Sequence, residues 1–196
     1  MSGLARPGWR RPLLVAVAAT AALVAVGAAG WWNGRAQLLE RAPAPPVADA
    51  ATLESIVARE PKNARAWALL GYQRAEQSRY AEAAQAFEQA VAHGPKIATD
   101  PAVLCEWADV LGMAQGGSLA GRPSELIARA LALRPGHPQA LEMAGSAAYE
   151  RGDFTTAVQH WEALRPLLAA DAGRQQQLDA AIARARRKAG TALPPG

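Results

Sequence analysis

The sequence is poor in the residue types that build most metal and catalytic centres. Its 196 residues include a single cysteine, Cys105, and only three histidines. One cysteine excludes an internal disulfide and any site made of several thiolates. The motifs of serine hydrolases, zinc proteases, nucleotide phosphate loops and dinucleotide-binding folds are all absent. We therefore expect no catalytic residue, no metal and no bound cofactor, and we predict that the chain is not an enzyme.

Aromatic and charged residues are also scarce, at 6% and 19%, while apolar residues reach 51% with much alanine among them. Alanine favours closely packed helices, whereas β-sandwiches and barrels depend on β-branched and aromatic side chains. The composition predicts an all-α fold.

The net charge of +4 is concentrated at the two ends of the chain. Residues 1–41 carry +4 and residues 171–196 carry +3, whereas residues 42–170 carry −3. A nucleic-acid-binding face needs clustered lysine and arginine on the folded body. We therefore expect no nucleic-acid partner.

The N-terminus has the pattern of a membrane segment. Residues 12–34 are uncharged and would reach roughly 35 Å as a helix, enough to cross a bilayer core. Trp31 and Trp32 fit an interfacial belt, and arginines precede the apolar run. A cleaved signal peptide is the alternative, although the run is longer than its usual apolar region. The predicted order is a cytoplasmic tail at 1–12, a transmembrane anchor at 13–34 and a proline-rich linker at 35–48.

An internal repeat follows the linker. Aligning Trp67, Trp107 and Leu141 gives spacings of 40 and 34 residues, the second being the tetratricopeptide (TPR) period. We place the six additional residues of the first spacing in the glycine-bearing stretch 116–123. The predicted repeats are about 64–97, 104–137 and 138–171, within a TPR domain at 49–170.

The first repeat carries the TPR pattern most completely. Trp67, Leu70 and Gly71 form its first-helix signature, and Ala83 and Phe87 follow on the second helix. Small residues where two helices cross should let Trp67 and Phe87 interlock. Pro95 and Pro135 would close the first two repeats, with Pro61 placed alike before them.

Helices are also expected at both ends of the array. Asp49 would cap a leading helix that runs to Glu60. At the C-terminal end, residues 171–196 would form a capping helix and tail, with Leu178 and Ile182 as its narrow apolar stripe. The predicted architecture is a transmembrane helix, a three-repeat TPR solenoid and a C-terminal capping helix.

The groove formed by the first helices is the candidate binding site, because it is where such arrays hold peptides. Arg65 or Asn63 could bind a carboxylate, and two tyrosines could supply flat contact area. Ala68, Cys105, Ala108, Gly112 and Ser146 face the groove in this register. The predicted groove residues are Asn63, Arg65, Tyr72, Glu76, Gln115, Gln139, Glu142 and Tyr149.

Two other residues have alternative interpretations. Cys105 could exchange with a client thiol or be a semi-buried structural cysteine, the latter being favoured. His160, beside Trp161, could suggest a haem ligand, but a partly exposed helical residue is the simpler interpretation.

Residues 116–168 resemble the TPR domain of cytochrome c maturation subunits called CcmI, CycH or NrfG. The resemblance rests on the glycine-bearing insertion, the junction ALALRPGHPQALEMAG and the ending FTTAVQHWEAL, and extends over residues 53–168. It implies a non-catalytic subunit of the haem lyase complex in the bacterial inner membrane. The one apolar run and the arginines before it predict a single span with the C-terminal domain in the periplasm. The implied partners are the C-terminal segment of unfolded apocytochrome c and other haem lyase subunits. The alternative is a generic periplasmic TPR scaffold for envelope or pilus assembly.

Overall fold

The computed structural model describes residues 49–192, and every regular element in this part is helical. The elements are α1 Ala50–Arg59, α2 Ala64–Glu76, α3 Tyr80–His93, α4 Pro95–Ala98, α5 Pro101–Ala114, α6 Arg122–Leu133, α7 Pro138–Glu150, α8 Phe154–Leu164, a 3₁₀ turn Arg165–Leu168 and α9 Ala172–Ala192. The expected all-α class is confirmed for this part of the chain.

Three antiparallel helix pairs form the body: α2 with α3, α5 with α6, and α7 with α8. α1 packs on the first pair and α9 packs on α8, so within residues 49–192 one helix covers each end of the array. Asp49 caps α1 by accepting a hydrogen bond from Thr52 N at 2.7 Å. Leu178, Ile182 and Ala185 of α9 are buried against α8, as a capping helix requires.

The predicted anchor at 13–34 lies outside the described residues. From Asp49 to Ala192, no helix combines the length and the apolarity needed to cross a membrane.

The N-caps of the three first helices set the true register of the repeats. Asn63, Asp100 and His137 are 37 residues apart, and each side chain accepts a hydrogen bond from a backbone N–H in the first turn. Capping of this kind satisfies N–H groups that have no partner within the helix.

This register corrects the alignment of Trp107 with Trp67 and Leu141. The residue four positions after each N-cap donates its N–H to the capping residue's carbonyl, and these residues are Trp67, Leu104 and Leu141. Trp107 lies almost one turn later in α5 and is buried in the core, with Arg122 stacked 4.7 Å from its ring centroid. Matching the two tryptophans by type therefore displaced the second repeat by three residues.

The predicted location of the six additional residues, in the stretch 116–123, is corrected as well. Between Trp67 and Leu104 the chain forms the short helix α4, which begins at Pro95, so this proline starts a helix. Pro61 and Pro135 do share a position, two residues before an N-cap. The stretch 116–123 follows Trp107, so it lengthens the turn between α5 and α6 and cannot account for the earlier spacing.

Small residues do stand where the paired helices cross. A Cβ on Gly71 would lie 3.1 Å from the Phe87 ring, and one on Gly145 would overlap the Trp161 indole. Ala108 occupies the equivalent position in α5 and is fully buried. The close approach of each pair therefore depends on the absence of a larger side chain.

Trp67 does not interlock with Phe87 as the pattern suggested. Its Nε1 donates to the Pro61 carbonyl at 2.8 Å, and its ring packs with the buried cluster that joins α1 to α2, around Leu53 and Val57. Phe87 belongs to the neighbouring cluster with Tyr72. Trp67 thus ties the leading helix to the first repeat.

His137 makes stability depend on pH. Its Nδ1 accepts from Ala140 N at 3.3 Å, which requires that nitrogen to be unprotonated. Burial, with a smaller effect from Arg134, lowers the pKa of His137 below its usual value. The unfolded chain therefore takes up the proton first, so this contribution to stability is complete above about pH 6.5 and declines as the pH falls below it. His137→Asn keeps a capping oxygen but loses the titrating ring. Between about pH 7 and pH 5, its midpoint of urea unfolding should therefore fall less than that of the unaltered chain.

The exposed His93, at the end of α3, provides the control. His93→Asn should show the same pH-dependent decline as the unaltered chain. Equal declines in all three proteins would contradict the assignment to His137.

Candidate functional site

The candidate site is the surface of α2, α5 and α7 at 2, 5, 9 and 12 or 13 residues after each N-cap, called here the first-helix face. In TPR solenoids this surface lines the inner side of the array. Its members are Arg65, Ala68, Tyr72 and Glu76 on α2, Ala102, Cys105, Asp109 and Met113 on α5, and Gln139, Glu142, Ser146 and Tyr149 on α7.

On α7 the charged residue of this face is already paired. The Glu142 carboxylate accepts a hydrogen bond from Arg174 Nη2 of α9 at 2.8 Å, with side-chain exposures of 28% and 26%. Burial raises the pKa of Glu142, and the charge of Arg174 acts in the opposite direction. Glu142 therefore serves first to join the last repeat to the capping helix.

Tyr149 is also enclosed. Its ring lies 5.2 Å from that of Phe154 and 5.8 Å from that of Trp161, and Lys188 Nζ of α9 lies 5.2 Å from its centroid. An aromatic ring held between two rings and a cation has little face left for a ligand.

The centre of the α5 face is closed by packing, whereas Ala102 at its start is exposed. Cys105 is fully buried and Glu106, the next residue, is 6% exposed, with Gln139 Nε2 donating to Glu106 Oε1 at 3.4 Å. Burial, followed by the charges of Glu106 and Asp100, raises the pKa of Cys105 to about 12. Its Sγ lies 3.9 Å from His137 Nδ1 in the interior. The structural interpretation of Cys105 fits this environment, since thiol exchange needs an accessible thiolate.

The other residues predicted on repeat two are displaced from the groove by the corrected register. Ala108 faces the partner helix, and Gly112 lies against the 116–121 turn, where its Cβ would meet Leu119 at 3.1 Å. Gln115 lies just beyond α5 and donates to the carbonyls of Ser118 and Ala120 at 2.6 and 3.0 Å. Gln115 thus fixes the turn and is not placed on the first-helix face.

On α2 the surface is open except at Ala68, which is buried, and the exposed Leu69 lies beside it. Arg65, Leu69, Tyr72 and Glu76 are spaced by four, three and four residues, so they form one line along the helix, called here the α2 stripe. Arg65 and Glu76 are exposed and make no hydrogen bond or ion pair with any other residue of the described part. Leu69 is 37% exposed, and Tyr72 is half-buried with its ring edge-on to Phe87 at 5.0 Å. The stripe presents a cation, two apolar surfaces and an anion in order.

Leu69 was missed because it stands beside Leu70 in the repeat signature. Leu70 is fully buried, whereas Leu69 points outward. The helical spacing of Leu69 from Arg65 was the signal that could have identified it.

Asn63 lies at the end of this stripe but its side chain is occupied. Oδ1 accepts from Ala66 N at 3.0 Å, and Nδ2 donates to Glu60 Oε2 at 2.8 Å. A shallow depression lined by Glu60, Pro61, Lys62 and Asn63 lies beside it. Of Arg65 and Asn63, the two residues expected to bind a carboxylate, Arg65 is therefore the one whose donors have no partner within the described residues.

His160 lies on α8, where burial lowers its pKa against the opposing charge of Asp153. No group of three or more histidine, cysteine, aspartate or glutamate side chains suited to a metal ion occurs between residues 49 and 192.

The family model described as the cytochrome c-type biogenesis protein H TPR domain matches residues 50–175. The chain belongs to this family. The TPR domain so defined spans α1 to the start of α9, and it contains all of the first-helix face.

A curated relative supports this assignment. Cytochrome c-type biogenesis protein CycH of Pseudomonas aeruginosa is 31% identical over 138 residues, which is 70% of this chain. The match covers 33% of that protein, so the chain spans about a third of the length of this relative.

Solved structures share the fold. A crystal structure of MamA superposes with a TM-score of 0.53 at 14% identity, covering 75% of this chain and 86% of that one. The crystal structure of the APC/C hetero-tetramer Cut9–Hcn1 superposes with a TM-score of 0.54 at 19% identity, covering 72% of this chain and 26% of that one. These similarities establish a TPR-like solenoid in the described part.

Proposed function

We propose that the chain is a non-catalytic binding subunit of cytochrome c maturation, whose first-helix face holds the C-terminal segment of unfolded apocytochrome c for haem attachment. Membership of the cytochrome c-type biogenesis protein H family supports the role in cytochrome c maturation. The open α2 stripe is the single observation that carries the binding role, because it offers an unpaired cation next to exposed apolar surface.

Recognition is centred on the first repeat. The client's terminal carboxylate meets the Arg65 guanidinium, and its apolar side chains pack on Leu69 and Tyr72. Gln139, Glu142 and Tyr149 shape the rest of the face through their contacts with neighbouring helices. Ordering an unfolded segment lowers the affinity for a given contact area, which suits a client that must be released.

The anchor at 13–34 holds this domain on the periplasmic side of the bacterial inner membrane, next to the other haem lyase subunits. This part of the proposal rests on the apolar run and the arginines before it. Its partners are apocytochrome c, the haem lyase and the membrane itself.

The test is a titration of the full chain, in detergent micelles, with C-terminal peptides from the c-type cytochromes of the host. Each peptide is prepared with a free and with an amidated terminus. Arg65→Ala should weaken binding of the free-acid peptide about tenfold, because a charge-assisted hydrogen bond is lost. The same variant should leave binding of the amidated peptide unchanged, since that peptide has no carboxylate to lose.

Arg187→Ala is the matched control, because Arg187 is an exposed arginine on α9 that makes no polar contact within the described part. It should bind both peptides like the unaltered chain. Binding indifferent to amidation would move recognition to Leu69 and Tyr72. If no peptide binds, the proposal fails and a generic periplasmic TPR scaffold, for envelope or pilus assembly, is favoured.

A further inference from the structure

Both charges of the α2 stripe stand at the wrong ends of their own helix. Arg65 is the second residue of α2 and Glu76 is the last. A helix dipole favours anions in the first turn and cations in the last turn, so each charge opposes the stability of α2. Neither is compensated by an ion pair within the described residues.

The equivalent positions of the other repeats do not share this arrangement. Two residues after the N-cap, α5 has Ala102 and α7 has Gln139. Thirteen residues after the N-cap, α5 has Met113 and α7 has Glu150. The Glu150 carboxylate accepts a hydrogen bond from Leu119 N at 2.9 Å, so it already has a partner within the fold. The uncompensated pair is therefore a feature of α2 alone among the three first helices.

We infer that the α2 stripe binds its client as an α-helix antiparallel to α2. This inference rests on the proposed function and adds the client's conformation, its direction and a required basic residue. The client's C-terminal carboxylate meets Arg65, apolar side chains meet Leu69 and Tyr72, and a lysine or arginine meets Glu76. An antiparallel helix also brings its own negative end to Arg65 and its positive end to Glu76, so both misplaced charges become favourable on binding.

The distance along the stripe distinguishes a helix from an extended peptide. Glu76 lies eleven positions after Arg65, which corresponds to a rise of about 16 Å along the helix at 1.5 Å per residue. A helical client needs its basic residue about eleven positions before the terminus. An extended client, at about 3.3 Å per residue, needs it about five positions before the terminus.

The experiment uses two synthetic amphipathic peptides of about 16 residues with free C-termini and identical composition. One has its only lysine about eleven positions before the terminus and the other about five. Fluorescence anisotropy with the full chain in detergent should give a Kd roughly fivefold lower for the first peptide. Glu76→Lys should remove this preference, and replacing the peptide's lysine with glutamate should restore binding to that variant.

Two controls separate recognition from structure. Glu125→Lys changes an exposed carboxylate on α6 and should leave both Kd values unchanged. Glu76→Lys should leave the Tm of the free chain equal or higher, because the new charge agrees with the helix dipole, whereas a structural role for Glu76 would lower it.

The outcomes distinguish this inference from the proposed function. Tighter binding of the peptide whose lysine lies five positions before the terminus would overturn the antiparallel helix. Undiminished binding of the first peptide by Glu76→Lys would do the same. Either result would leave the proposed client-binding function intact. Failure of the unaltered chain to bind any peptide, including those from the host's cytochromes, would overturn both.

Discussion

Replacing Gly145 with alanine should lower the free energy of unfolding by about 3 kcal/mol, because the new methyl group has no space. Its Cβ would lie 2.7 Å from Cε2 of Trp161 and closer still to Nε1. The indole cannot move freely, since it is 7% exposed and its Nε1 donates to the Glu142 carbonyl at 3.3 Å. Thermal unfolding of the full chain, followed by circular dichroism, should show a Tm lower by roughly 10 °C.

Gly136→Ala is the matched control, because a Cβ there meets nothing within 4 Å. It should change the free energy of unfolding by less than about 0.5 kcal/mol. In Gly145→Ala, adding Trp161→Phe should recover part of the loss, since the first repeat pairs Gly71 with the smaller Phe87. A loss no greater than that of Gly136→Ala would show that the crossing tolerates a methyl group.

The helix pairs were predictable because their signals are steric and local. Gly71 and Phe87, and likewise Gly145 and Trp161, stand at spacings that only two crossing helices explain. Asp49 could be recognised as a cap, since a short acidic side chain before a helical run has few other uses.

The register of repeat two was not predictable from residue types. Two tryptophans suggested an equivalence, but Leu104 occupies the position of Trp67 while Trp107 fills the core almost one turn later. The regular spacing of Asn63, Asp100 and His137 contained the correct period. It escaped notice because three different residue types perform one capping role.

The open part of the site was only partly predictable, since exposure depends on distant neighbours. Arg65 and Glu76 were found from spacing and are exposed. Glu142 and Tyr149 have the same helical spacing on α7, but Arg174 and Lys188 of α9 contact them. No periodicity within α7 indicates where those two side chains lie.

Replacing Arg174 with alanine should lower the free energy of unfolding by about 1 to 2 kcal/mol at neutral pH. Removing one partner of a largely buried ion pair leaves the other charge without compensation, and the remaining exposure of Glu142 moderates the loss. Chemical unfolding of the full chain in urea measures the change.

The pH dependence identifies the cause. Burial already raises the pKa of Glu142, and losing Arg174 removes the effect that opposes it. The folded variant then holds a proton that the unfolded chain releases, so stability falls as the pH rises above the ordinary glutamate pKa of about 4.5. The deficit of Arg174→Ala should therefore be largest near neutral pH and shrink towards about pH 5.

Two variants make this result decisive. Arg165→Ala removes an exposed ion pair with Asp179 on the same capping helix, and it should lower the free energy of unfolding much less than Arg174→Ala does. In Arg174→Ala, adding Glu142→Gln should remove the pH-dependent part of the deficit, because position 142 then has no carboxyl group to titrate. If the deficit persisted unchanged in that double variant, the role of Arg174 would lie in packing.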